Sequence, residues 1–122
     1  MIFADTHVLV WLFSGDSRLP EPARDALLSE SALAVSAVTA WEYADLQARG
    51  RLPETLPFAE LASGLGLRIE PFPADCWRIA AQLPPIHGDP LDRMLIAQAL
   101  AADGVLATGD RNMRRYPVAL LW

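Results

Sequence analysis

The chain contains no lysine, one cysteine (Cys76) and two histidines (His7 and His87). A lone cysteine excludes an internal disulfide and any cysteine-based zinc site, and two histidines leave little with which to hold a soft metal. Without lysine, the chemistry of receiver and phosphoryl-transfer domains, which sets an aspartyl nucleophile beside a lysine, has no candidate. No apolar run approaches the roughly 20 residues that cross a bilayer, and the N-terminus lacks the basic head and small-residue cleavage site of a signal peptide. No membrane partner is therefore expected, and the cytoplasm is the expected location. At 122 residues, 52% of them hydrophobic, the chain is long enough for one cored domain and short for two, so a single domain over 1–122 is expected.

What the chain does hold is acid and arginine. All ten basic residues are Arg, against fifteen Asp and Glu, for a formal charge of −5. An acidic surface repels nucleic-acid phosphates. If four of the acids gather round a cation, however, the rest of the molecule carries only −1, and a divalent ion turns the local field positive. Arg93, Arg111, Arg114 and Arg115 stand beside the suspect acids in the sequence, and their forked donors match phosphate oxygens.

The strongest local signal is His87-Gly-Asp89-Pro90-Leu-Asp92-Arg93, running on into an apolar stretch to Leu100. Asp89 is placed as an N-cap, Pro90 as the first helical residue and Asp92 in the first turn, where the helix dipole favours negative charge. From Met94 to Ala102 almost every residue is apolar or small, so this helix is covered on more than one side and belongs inside the molecule. Gly104 stops it, and Val105-Leu106-Ala107 reads as a buried strand leading into Thr108-Gly109-Asp110.

Elsewhere, Ile2-Phe3-Ala4 reads as a strand, followed by Asp5, Thr6 and a helix to Ser14-Gly15. Leu33-Ala34-Val35 reads as another, followed by a helix that begins at Ser36 and carries Trp41, Glu42 and Tyr43. Further helices are predicted over 21–29, 58–65 and 73–81, a strand over 67–70, and an edge strand over 118–122 behind Pro117. Short apolar strands alternating with helices predict an α/β fold: a parallel sheet of four or five strands covered by helices on both faces. Ligands of such sheets bind beyond the carboxyl ends of the strands. Asp5 and Asp110 follow two strands, Glu42 lies about two turns into the helix after a third, and Asp92 opens the helix that leads into the Val105 strand.

Each acid has an ordinary explanation when taken alone: Asp5 can cap a helix, Glu42 can face solvent, and Asp89 is better explained as a cap than as a metal ligand. Trp11, Phe13, Trp41 and Tyr43 are better placed in a core than in a binding groove. Crowded carboxylates, however, repel one another unless a cation joins them, and oxygen-only ligands select Mg²⁺ or Mn²⁺. Such an ion keeps waters, one of which can be deprotonated to attack a phosphodiester; a second ion roughly 4 Å away would steady the leaving oxygen. This chemistry needs no nucleophilic Ser or Cys.

Taken together, Ile-Phe-Ala-Asp5-Thr6, Trp41-Glu42, His87-x-Asp89-Pro-x-Asp92-Arg93-x-Leu-Ile-Ala-Gln-Ala and Thr108-x-Asp110 resemble the PIN domain, and within it the VapC toxins of bacterial toxin–antitoxin pairs. The resemblance covers nearly the whole chain. It implies a PIN-like three-layer fold with a five-stranded parallel sheet, and a Mg²⁺- or Mn²⁺-dependent endoribonuclease. Asp5, Glu42 and Asp92 would be its main metal-site acids, with Asp110 as the fourth and Thr108 ordering the site. It further implies an RNA substrate, a homodimer, and a VapB-type antitoxin whose C-terminal segment covers the site. Thr6, Arg93, Arg114 and Arg115 are assigned to substrate and support, and His7 is not assigned to catalysis. The rival readings are a DNA nuclease of related fold and a catalytically silent domain that binds RNA or protein.

Overall fold

The structure is a computed structural model that describes residues 1–30, 33–53 and 55–122. Of the predicted loop over 51–57, residue 54 lies outside the described residues. Each apolar run becomes a short strand: β1 (Ile2–Ala4), β2 (Ala34–Ser36), β3 (Arg68–Glu70), β4 (Val105–Ala107) and β5 (Ala119–Leu120). They pair in the order β3-β2-β1-β4-β5, every pair parallel, with Phe3 opposite Ala34 on one side and Leu106 on the other. Among the described residues six α-helices accompany them: α1 (Thr6–Ser14), α2 (Glu21–Ser29), α3 (Ala37–Ala48), α4 (Phe58–Leu65), α5 (Cys76–Gln82) and α6 (Pro90–Ala101).

The period-two geometry of a strand divides the core into two halves. Ile2, Ala4, Val35 and Ala107 point into one, filled by Val8, Leu9 and Leu12 of α1, Leu27 of α2, Tyr43 of α3 and Leu61 of α4. Phe3, Ala34 and Leu106 point into the other, filled by Leu95, Ile96 and Ala99 of α6 with Leu83, Met113 and Tyr116. The central strands are thus buried on both faces, which is why they read as continuous apolar runs instead of alternating. This is the three-layer α/β arrangement read from the sequence.

The helix starts follow the capping residues. Ser36 Oγ accepts the Val38 N–H at 3.0 Å, and an Asp89 carboxylate oxygen accepts the Leu91 N–H at 2.9 Å, ahead of Pro90. The helix predicted from Pro73 begins only at Cys76. Pro73 instead offers its carbonyl to the Cys76 N–H across a 3.0 Å turn, and Asp75 caps nothing with its side chain. No described helix is long and apolar enough to cross a membrane.

The aromatic residues divide. Tyr43 is fully buried and donates its hydroxyl to the Leu56 carbonyl at 2.7 Å, whereas Trp41 is 58% and Phe13 44% exposed. The core placement expected for all four therefore fails for Trp41 and Phe13, whose helices turn those positions away from the sheet.

Candidate active site

Three helices and two strand ends converge on one cavity of about 240 Å³, whose walls include Asp5, Glu42, Asp89, Asp92 and Asp110 and no arginine among the described residues. Asp5 stands where β1 ends. Its backbone N–H donates to the Ala107 carbonyl of β4 at 3.0 Å, which fixes the strand tip, and its Oδ1 caps α1 by accepting the Thr6 N–H at 2.7 Å. Its Oδ2 accepts the Thr108 hydroxyl at 2.9 Å, and Thr108 Oγ1 in turn accepts the Asp110 N–H at 3.1 Å. One threonine thereby ties the carboxylate after β1 to the loop after β4. Thr6, the other hydroxyl beside the site, donates to Glu42 Oε1 and holds that side chain, which comes from the second turn of α3, over the strand tips.

The two histidines frame these acids, and their hydrogen bonds set the tautomers. His7 Nε2 accepts the Gly109 N–H at 2.8 Å, so in the neutral ring Nδ1 carries the proton, 3.5 Å from Asp5 Oδ2. His87 Nδ1 accepts the Asp89 N–H at 3.1 Å, leaving the Nε2 proton between Asp92 Oδ2 and Asp110 Oδ2, 3.1 Å from each. His87 is thus a donor that bridges two carboxylates. It was not read as a site residue from the sequence; its position two residues before a helix cap was the available signal. A Cβ at Gly109 would lie 2.9 Å from Trp11 Cη2 and 3.3 Å from His7 Nε2, so a larger residue there would push the Trp11 ring aside.

The electrostatics are those of acids forced together. Burial, reinforced by the charges of Asp5, Asp89 and Glu42 and opposed by His87, pushes the Asp92 carboxyl from 3.8 up to about 7. Burial also raises Glu42, with the charges of Asp5, Asp89 and Asp45 adding to the effect and the Thr6 hydrogen bond opposing it. Carboxylate oxygens of Glu42, Asp89 and Asp92 lie within 4.8 Å of one another, as do atoms of His87, Asp92 and Asp110. The donor set fits a hard divalent cation, because oxygen ligands predominate and the repulsion among them is what such an ion relieves. In the tautomer these hydrogen bonds describe, His87 presents a proton to Asp92 and Asp110.

The remaining predicted residues separate. Asp89 caps α6 as expected while also facing the acids, so the two readings of it are not exclusive. Arg93 turns away: its guanidinium donates to the carbonyls of Ala80, Leu83 and Pro84 at 2.8–3.0 Å. That binds the end of α5 to α6 and engages the guanidinium with main-chain carbonyls, a supporting contact for the residue assigned to substrate and support. Arg114 and Arg115 lie exposed on the short 3₁₀ turn Arg111–Arg115, which Asp110 caps through Oδ1 to the Asn112 N–H at 2.9 Å.

A parallel sheet whose carboxyl edge carries a pocket of acids suited to a hard cation defines a class of metal-site α/β domains. Comparison with known proteins narrows this: the PIN domain family model matches residues 2–119, and the chain belongs to that family. It is 29% identical over 118 residues to Ribonuclease VapC22 of Mycobacterium tuberculosis (strain ATCC 25618 / H37Rv), a match covering 94% of this chain and 91% of the relative. Among solved structures it resembles VapBC2 from Rickettsia felis bound to a promoter DNA fragment, with TM-score 0.73, 20% identity, and coverage of 98% of this chain and 97% of that one. It also resembles VapC20 of Mycobacterium tuberculosis, a Sarcin-Ricin loop cleaving toxin, with TM-score 0.65, 19% identity and 94% of each chain covered. These two likenesses establish the PIN-like fold.

Proposed function

We propose that this chain is a divalent-cation-dependent endoribonuclease of the VapC toxin kind, neutralised by a VapB-type antitoxin and acting as a homodimer. The observation that carries the reading is the meeting of Asp5, Glu42, Asp92 and Asp110, distant in sequence, in one arginine-free cavity. The similarity to a ribonuclease along nearly the whole chain and the VapBC likeness of the fold support the same reading.

Asp5, Glu42 and Asp92 would hold Mg²⁺ or Mn²⁺, with Asp110 completing the set. Such an ion, when bound, supplies a Lewis acid beside a phosphodiester and lowers the pKa of an attacking water. The chain's own residues build the place where this happens. Thr6 holds the Glu42 carboxylate, Thr108 holds Asp5 and the Asp110 backbone, and His87 spans Asp92 and Asp110 through Nε2–H. These contacts fix the acids before any ligand arrives, so little reorganisation is needed on binding.

The test is incubation of the purified chain with total RNA, and separately with single-stranded DNA, in Mn²⁺ or in EDTA. RNA cleavage that EDTA stops, and that is lost in Asp5→Asn, Glu42→Gln and Asp92→Asn proteins with native circular dichroism, is the expected result. Cleavage of DNA alone, or of neither, would overturn it.

A further inference from the structure

Beside the acidic cavity lies a second one of about 340 Å³, and the two share Asp110. Its charge is of the opposite sign: Arg18, Arg111 and Arg114 line it together with the indoles of Trp11 and Trp122. The three arginines are not equivalent. Arg18 is paired with Asp16 through contacts of 2.7 and 3.1 Å and lies 5.1 Å over the Trp11 ring, so its charge is already matched within the chain. Arg111 and Arg114 form no ion pair and no side-chain hydrogen bond among the described residues, leaving two forked donors uncommitted at the mouth of an aromatic pocket. The indoles also differ. Trp11 is engaged by His7 at 4.7 Å and by Arg18, whereas half-buried Trp122 packs one side against the core and has no aromatic or cationic partner among the described residues.

We propose that this pocket is a nucleotide subsite: it takes the nucleotide next to the cleaved bond, with its phosphate on Arg111 and Arg114 and its base against Trp122. The proposal rests on the nuclease reading for its ligand class, a single strand passing Asp110. Its physical content is separate. Volume and lining suit a small planar ligand carrying an anion, because the cavity falls within the roughly 300–1,000 Å³ range of small-ligand pockets and joins apolar walls to a few directed charges. Bases stack on aromatic side chains whatever their identity, while forked arginine donors match phosphate oxygens. The segregation also answers an electrostatic need: with a cluster of carboxylates alongside, an incoming polyanion needs cations within a Debye length of about 8–10 Å.

Binding is separated from cleavage by working in EDTA. A fluorescein-labelled single-stranded oligoribonucleotide is titrated with the full chain and followed by anisotropy between about 50 and 200 mM salt. The double variant Arg111→Ala with Arg114→Ala is expected to weaken binding about tenfold or more. It should also flatten the slope of log affinity against log salt by about 0.7–1.4, the signature of one or two lost phosphate contacts on a single strand. Trp122→Ala should weaken binding about tenfold without changing that slope, and Trp122→Phe should restore it. No binding by the unaltered chain, an unchanged double variant, or displacement by polyglutamate as readily as by RNA would each overturn the subsite. Metal-dependent RNA cleavage with kcat/KM unaltered in the double variant would remove the subsite and leave the nuclease reading intact. Arginine-dependent RNA binding without cleavage in any metal would do the reverse.

Discussion

Replacing Asp92 by Asn should make the cation-free protein more stable and deaf to divalent ions. The carboxyl sits among Asp5, Asp89 and Glu42 and is lifted from 3.8 to about 7, so in the folded chain it holds its proton about a thousandfold more tightly than in the open chain, a ceiling of about 4 kcal/mol at roughly 1.4 kcal/mol per decade. The group is partly solvated, and screening brings this to on the order of 1–2 kcal/mol. The sign follows from linkage. The folded state binds more protons than the unfolded one between about pH 4 and 7, so this group makes stability fall with rising pH across that window and flatten above it. Asn keeps the shape, lets His87 Nε2–H keep an acceptor, and removes the charge. In EDTA at pH 8, thermal unfolding of Asp92→Asn should therefore come roughly 3–10 °C above the unaltered chain, with the gap narrowing steadily towards pH 5. Adding Mg²⁺ at pH 8 should raise the melting temperature of the unaltered chain by mass action and leave the variant's unmoved. A variant no more stable than the parent at pH 8, or a parent whose stability climbs from pH 5 to 8 in EDTA, would refute the claim that these acids are forced together.

Two further substitutions separate support from chemistry. Arg93→Ala takes from Leu83 its one side-chain donor and from Ala80 and Pro84 a second donor, those two carbonyls keeping the Leu83 and Ile86 N–H groups, so it should cost about 1–2 kcal/mol in urea unfolding and leave RNA affinity in EDTA unchanged; a selective loss of RNA binding would place Arg93 at the substrate. Thr108→Val deletes the hydroxyl shared by Asp5 and the Asp110 N–H. It should lower cleavage about tenfold through a looser cation site, with restoration by Thr108→Ser, and equal losses in both variants would argue against the hydroxyl.

Much of this arrangement was legible because it is written in local signals. Buried strands announce themselves as unbroken apolar runs, and Asp89-Pro90 and Ser36 mark helix starts through capping geometry that depends on a few neighbours. From those, the sheet and the end at which Asp5, Glu42, Asp92 and Asp110 gather follow by the rules for parallel sheets. What escaped was set by long-range contact. The direction of Arg93 depends on where α5 ends, and α5 starts later than its proline suggested. His87 acquires its role only because Asp110, 23 residues on, lies across from it. Trp41 and Phe13 look like core residues in a linear reading because hydrophobicity carries no record of which way a helix faces.

The two histidines show how a site can keep like charges together before a cation is present. Each spends one ring nitrogen accepting a backbone N–H, Gly109 for His7 and Asp89 for His87, and so turns the other, proton-bearing nitrogen towards carboxylates. A lysine or arginine in the same places would neutralise the acids permanently and compete with a divalent ion. An imidazole in these places donates from the ring nitrogen that faces the carboxylates and so holds them in order. Arg18, Arg111 and Arg114, which cannot lose their charge, stand in the neighbouring cavity instead. On the proposed nuclease reading, that division would let a chain of net −5 meet a polyanion, with negative charge gathered at the proposed cation site and positive charge in the cavity beside it.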